Sequence, residues 1–114
     1  MYKLKLITIE DLLEMRENGE PHRLVEVLLA EDFMKGHIPE AVSMPVDEIE
    51  VLAPKMLKKD ETIVTYCSDY SCHASTNAAR MLMEMGYSKV LDFKAGKRGW
   101  MHSGFPLLEV KNEK

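Results

Sequence analysis

Short β-branched and apolar runs alternate with helix-like stretches along nearly the whole chain, and this alternation is what most limits its fold. Leu4–Thr8 reads as a strand. Thr8 then offers a side-chain N-cap to a helix over Ile9–Glu17, with apolar Ile9, Leu12 and Leu13 and a closing Gly19. A nearly continuous apolar strand follows over Leu24–Leu29, the pattern of a central strand covered on both faces. Ala30–Lys35 fits one helical turn ending at Gly36, and Ala41–Met44 is a short strand between Pro39 and Pro45. A helix is predicted over Asp47–Leu57, kinked or divided at Pro54. Thr62–Tyr66 is the next strand. Ser75–Met85 is the clearest helix, with Ala78, Ala79, Leu82 and Met85 at helical spacing and Gly86 as the stop. Lys89–Phe93 is a fifth strand, and a short helix over Lys97–Ser103 stops at Gly104. Strands and helices in this order predict an α/β fold: a central, mostly parallel five-stranded sheet with helices on both faces.

With 46% apolar and 30% charged residues, 114 residues suffice for one domain over 1–114 with its own core. No repeat or linker interrupts it. The net charge of −4 implies no basic face for nucleic acid. No apolar run approaches the roughly 20 residues that span a membrane, and the N-terminus shows no signal-peptide core. Two cysteines without an export signal point to a reducing, cytoplasmic setting. Of the nine methionines, Met81, Met83 and Met85 share one helix and read as core filling.

Cys67 stands where the Thr62–Tyr66 strand ends, and Cys72 follows it in the loop Ser68-Asp69-Tyr70-Ser71-Cys72-His73-Ala74. In parallel sheets ligands gather at the carboxyl ends of strands. A loop of backbone N–H groups and the positive end of the following helix both favour a thiolate there. Free cysteine, with a pKa of about 8.5, is only a few per cent thiolate at neutral pH, so a modest downward shift makes the sulfur a nucleophile. Ser71 and Ser75 are candidate hydrogen-bond donors, Ser75 also a candidate N-cap. His73 can add positive charge or shape the helix entrance. The Asp69 carboxylate would oppose a thiolate, so it is expected to face solvent.

Four segments resemble the rhodanese-like (sulfurtransferase) domain family. Gly36-His37-Ile38-Pro39-Glu40-Ala41-Val42-Ser43-Met44-Pro45 is similar to its G-H-I-P-G-A-x-x-x-P segment. Tyr66-Cys67, the loop and Ser75-Thr76-Asn77-Ala78-Ala79-Arg80-x-Leu82-x-x-x-Gly86-Tyr87 resemble its active-site loop and helix. Gly96-x-x-x-Trp100-x-x-x-Gly104-x-Pro106 resembles its closing segment, and Leu24-Val25-Glu26-Val27 with Glu31 and Phe33 its L-I/V-D-V-R-x-x-x-E-F/Y stretch. The resemblance runs from about Leu6 to Leu108 and implies the rhodanese-like fold.

It also implies sulfane-sulfur transfer. Cys67 would attack a donor (thiosulfate, polysulfide or persulfide), carry the sulfur as a persulfide, and pass it to a thiol, cyanide or an accepting protein. Ser68, Asp69, Tyr70, Ser71, Cys72, His73, Ala74 and Ser75 would form the anion-binding loop, and no cofactor or metal is implied. Three departures matter. Leu28 replaces the family's arginine after D-V, the loop is two residues longer than C-x-x-x-x-R-S, and Ala74 falls where that arginine would be. The loop is then a Cys-x4-Cys version, found in stand-alone modules and in modules attached to transcription regulators. Without a basic residue between Cys67 and Ser75, polysulfide or a protein persulfide is favoured over thiosulfate as donor.

Cys72 can be a resolving thiol or simply line the loop. Lys94, Lys97 and Arg98 lie near the motifs, and Arg80 reads as a solvated helix residue. Other readings of the same residues are a non-catalytic binding or sensing module and a Cys67–Cys72 redox pair. A zinc site on Cys67, Cys72, His73 and His37 or His102 lacks a second C-x-x-C or H-x-x-x-H. A phosphatase-like C-x5-R loop would need arginine where His73 stands. His37 reads as structural and Trp100 as a packing residue under the loop. A monomer and a homodimer are both compatible with the sequence.

Overall fold

Ile63, Val64, Thr65 and Tyr66 are all fully buried, as a strand covered on both faces requires. They belong to β4 (Thr62–Tyr66) at the centre of the sheet. The computed structural model describes residues 3–110. Before β4 come β1 (Lys5–Ile7), α1 (Ile9–Glu17), β2 (Arg23–Glu26), α2 (Ala30–Lys35), β3 (Val42–Ser43) and α3 (Ile49–Met56). After it come α4 (Ala74–Glu84), β5 (Lys89–Phe93) and α5 (Gly96–His102). The sheet order is β1-β5-β4-β2-β3, and every pairing is parallel. In β4, Tyr66 is level with Glu26 of β2 and with Phe93 of β5.

Strand side chains alternate between faces, and β4 feeds two cores. Ile63 and Cys67 pack with Ile49 and Ala53 of α3 and with Ala78, Ala79 and Leu82 of α4. Val64 and Tyr66 pack with Leu12 of α1, Phe93 of β5 and Trp100 of α5. Cys67 therefore faces the α3/α4 layer, while its neighbour Tyr66 faces the α1/α5 layer.

Sequence and structure part at a few element ends. The expected strand Leu24–Leu29 leaves the ladder after Glu26. Val27 is still buried, but Leu29 is exposed and precedes α2. The strand expected over Ala41–Met44 shortens to Val42–Ser43. The helix expected over Asp47–Leu57 is divided before Ile49, where a 3₁₀ turn over Val46–Glu48 gives way to α3, and not at Pro54. Pro54 sits in the last turn of α3, where its missing N–H forfeits a single bond, to the Glu50 carbonyl one turn back. Thr8 does cap α1, in a reciprocal pair with Asp11.

Leu82, at the centre of the α4 face, should be costly to truncate. Leu82→Ala is expected to lower the urea-unfolding free energy by about 2–5 kcal/mol. Leu29→Ala, at an exposed position, should change it by under about 0.5 kcal/mol.

Candidate active site

The exit of β4 is shaped by a close approach of backbone to backbone. Gly96, at φ +63°, lies against the Cys67 carbonyl, and a Cβ there would overlap the Cys67 oxygen. The next two amides use that proximity. Lys97 N–H donates to the Cys67 carbonyl (3.0 Å) and Arg98 N–H to the Ser68 carbonyl (2.9 Å). The N-terminus of α5 thus takes up the first carbonyls of the loop.

The tip of the loop is held by Asp69. Its Oδ1 accepts from the Ser71 N–H (3.0 Å) and Ser71 Oγ (2.6 Å), and its carbonyl accepts from the Cys72 N–H (3.1 Å). The Ser71 side chain and amide hold the Asp69 carboxyl below the usual carboxylate range. Arg98 lies 3.8 Å from its other oxygen. Asp69 is half-buried as a residue, and its carboxylate stays at the solvent-facing tip while bonded to Ser71. Tyr70 stands 63% exposed at the tip, and Ser71 and His73 are exposed as well.

Cys67 is fully buried, Cys72 is half-buried, and their sulfurs are joined in a disulfide, with Cα atoms 6.4 Å apart. That span lies within the range a disulfide allows. Lys94 Nζ donates to the Cys72 carbonyl (2.6 Å), fixing that end of the loop to the exit of β5. The helix then starts one residue before the expected Ser75. His73 takes the N-cap position without a side-chain bond, so the first-turn amides of Ala74, Ser75 and Thr76 have no capping side chain. Ser75 is not the cap. It is fully buried in the second helical position, its hydroxyl has no protein partner, and its carbonyl accepts from Thr65 Oγ1 (3.1 Å). Ala74 is half-buried and packs against the α3/α4 core.

Beneath the loop lies a charged network that the motifs do not announce. Glu26 is fully buried. Its Oε1 accepts from the Tyr66 hydroxyl (2.7 Å), and its Oε2 lies 3.1 Å from Lys97 Nζ. Lys97 Nζ also donates to the Asp32 carbonyl (3.0 Å), and the Ile38 N–H donates to the Tyr66 oxygen (3.1 Å). Burial raises the Glu26 carboxyl above its ordinary range, against the opposing pull of Tyr66 and Lys97. Burial and that carboxylate together push the Tyr66 hydroxyl far up. An acidic side chain amid the apolar residues of β2 was the signal available in the sequence.

Of the cations near the motifs, Lys94 and Lys97 are bound internally. Arg98, one turn before His102 on α5, borders a cavity of about 470 Å³ with Asp69, Tyr70 and Ser71. Arg80 is exposed. Trp100 is a packing residue, but in the α1/α5 layer and not under the loop. Its Nε1 donates to the Pro106 carbonyl (3.0 Å) and Arg16 lies over its ring. His37 stacks on Phe33 and bridges to Leu108, so it ties α2 to the C-terminal segment. Among the described residues, no three His, Cys, Asp or Glu side chains cluster as a metal site, and no helix is long and apolar enough to cross a membrane.

A family model described as the rhodanese-like domain matches residues 8–103. The HTH-type transcriptional regulator Rv0324 of Mycobacterium tuberculosis is 35% identical over 105 residues, which cover 90% of this chain and 44% of that protein. A protein named sulfurtransferase from Allochromatium vinosum is 29% identical over 102 residues, covering 90% of this chain and 92% of that one. The chain therefore spans less than half of the regulator but nearly all of the second relative. Among solved structures, the BH2092 protein of Bacillus halodurans superposes with a TM-score of 0.85 at 29% identity, over 93% of this chain and 77% of that one.

Two predictions follow from the packing around the loop. Gly19 and Gly96 share a left-handed backbone (φ +66° and +63°), but only Gly96 has no room for a Cβ. Gly19→Ala should cost about 1–2 kcal/mol in denaturant unfolding, and Gly96→Ala measurably more. Equal costs would show that the contact with Cys67 is easily relieved. For Glu26, the raised folded value means that the native state holds the proton more tightly than the unfolded chain does. Its contribution is complete below the unfolded carboxyl range and is lost as pH rises through the raised value. Replacing it in Glu26→Gln should flatten the fall of unfolding free energy that sets in as pH rises above the ordinary carboxyl range, about pH 4.5. A slope identical to wild type would remove Glu26 as its source.

Proposed function

The chain belongs to the rhodanese-like domain family, and on that footing we propose that it is a sulfurtransferase that carries sulfane sulfur on Cys67. The A. vinosum relative, similar over nearly its whole length, bears the name sulfurtransferase. The observation that carries the reading is the setting of Cys67. It ends the central strand with its carbonyl bound by α5, and its loop leads into the α4 N-terminus, whose first amides lack a capping side chain. Backbone amides and the helix dipole favour negative charge on sulfur without any loop cation.

Catalysis starts from the reduced pair, since a sulfur in a disulfide is not a thiolate. The Cys67 thiolate attacks the outer sulfur of the donor, the donor's remainder leaves with the electron pair, and a persulfide stays on Cys67. An acceptor thiol, cyanide or an accepting protein then removes the outer sulfur and restores the thiolate. The internal use of Lys94 and Lys97, which leaves neither lysine free to hold a small anion, supports a persulfide or polysulfide as donor over thiosulfate. The disulfide favours a second reading, a Cys67–Cys72 redox pair that cycles without a sulfur donor.

The two readings separate by intact mass. Reduced protein treated with polysulfide or glutathione persulfide should gain about 32 Da, one sulfur, in a Cys72→Ser background, and Cys67→Ser should abolish the gain. Thiosulfate should load at least about tenfold more slowly. If no donor adds sulfur to the Cys72→Ser protein while mild oxidant still pairs the wild-type cysteines, the redox-pair reading replaces the carrier.

A further inference from the structure

Cys72 is the reactive group beside Cys67 that sulfur carriage leaves unused. Its backbone is fixed on both sides: the N–H donates to the Asp69 carbonyl (3.1 Å), and the carbonyl accepts from Lys94 Nζ (2.6 Å). Asp69 further closes the tip through Ser71. These contacts turn the loop back so that the Cys72 sulfur meets the Cys67 sulfur itself, as the disulfide records. The two are also unequal in access, since Cys67 is fully buried and Cys72 half-buried.

We propose that Cys72 is a resolving thiol that reduces the sulfur carried on Cys67 to free sulfide, giving the domain a persulfide-reducing activity besides transfer. The proposal rests on Cys67 being the sulfur carrier. The Cys72 thiolate attacks the inner sulfur, Cys67 Sγ. The Cys67–Cys72 bond forms, the bond to the outer sulfur breaks, and that sulfur leaves with the electron pair as hydrosulfide. The outer sulfur is thereby reduced to sulfide and the Cys72 sulfur is oxidised, while Cys67 Sγ exchanges one S–S bond for another. Attack on the outer sulfur would merely move the persulfide to Cys72, whereas the covalent contact in the structure is with Cys67 Sγ.

An external thiol, either a small thiol or a dithiol protein, completes the cycle. It attacks the more accessible Cys72 sulfur and expels Cys67 as the thiolate, at the loop that favours its charge. A second thiol then takes the first off Cys72 as an external disulfide, leaving Cys72 reduced.

The test treats fully reduced wild type, Cys72→Ser and Cys72→Ala with equimolar polysulfide, without oxygen or thiol, and follows intact mass and free sulfide. The serine and alanine variants should both hold the gain of about 32 Da and set the sulfide background. Wild type should lose that gain, release about one further equivalent of sulfide, and end about 2 Da below its reduced mass with Cys67 linked to Cys72. Wild type that keeps the added sulfur, on either cysteine, with sulfide at background overturns the resolving role and leaves the carrier standing. Variants that fold yet never gain sulfur overturn the carrier, and the resolving role with it.

Discussion

The backbone approach of Gly96 to Cys67 is the contact on which the candidate site depends. A side chain at Gly96 would push the start of α5 away from β4. Without α5 in place, the carbonyls of Cys67 and Ser68 would lose the Lys97 and Arg98 amides. A buried carbonyl without a partner costs on the order of 1–3 kcal/mol, so the loop would have to rearrange to reach solvent. The same approach sets the direction of the Lys97 side chain, because its amide is already committed to Cys67. From there Nζ reaches down to Glu26 and the Asp32 carbonyl. One glycine therefore couples the Cys67 end of β4 to the ion pair beneath it.

That ion pair is not an obvious source of stability. Taking a carboxylate and an ammonium out of water carries a desolvation penalty that their attraction often only offsets, and the raised Glu26 carboxyl is the signature of that penalty. What the network does provide is definition. Glu26 receives the hydroxyl of Tyr66, the residue just before Cys67, and Tyr66 receives the Ile38 amide. The strand exit, the segment after α2 and α5 are thus joined through groups that cannot slide without leaving a charge unpaired. Apolar replacements would pack but would not impose that register.

The alternation of strand and helix patterns was enough to place all five strands and their parallel sheet, because buried β-branched runs and amphipathic stretches differ in period. Element ends were less legible. Leu28 and Leu29 look like strand residues, yet the chain must turn into α2 after Val27, and their apolar character does not report that turn. Ser75 carries the side chain of an N-cap, but the loop closes earlier, at His73, so its hydroxyl is buried instead. Cys67, its loop and the glycine-containing segments could be read because each is a local signature. The Glu26–Tyr66–Lys97 network could not, since it joins residues up to 71 positions apart in number, from Glu26 to Lys97, whose meeting is decided by strand order. Nor could the pairing of Cys67 with Cys72, which depends on how the loop folds back.

The departures of this loop from the commoner C-x-x-x-x-R-S pattern fit together physically. An arginine in the loop would present its guanidinium to an anionic donor. Here its position is Ala74, which packs against the core, and Lys94 is committed to the Cys72 carbonyl. The two added residues make room for the Asp69–Ser71 turn, and that turn carries Cys72 back to Cys67. Placing the Asp69 carboxylate so near a thiolate would be unfavourable if it were free, but its charge is taken up by the Ser71 donors and faced by Arg98. In place of a fixed cation the loop holds a second thiol, and the structure joins that thiol to Cys67. The Asp69–Ser71 turn and the Lys94 contact on the Cys72 carbonyl together keep the two sulfurs within bonding reach.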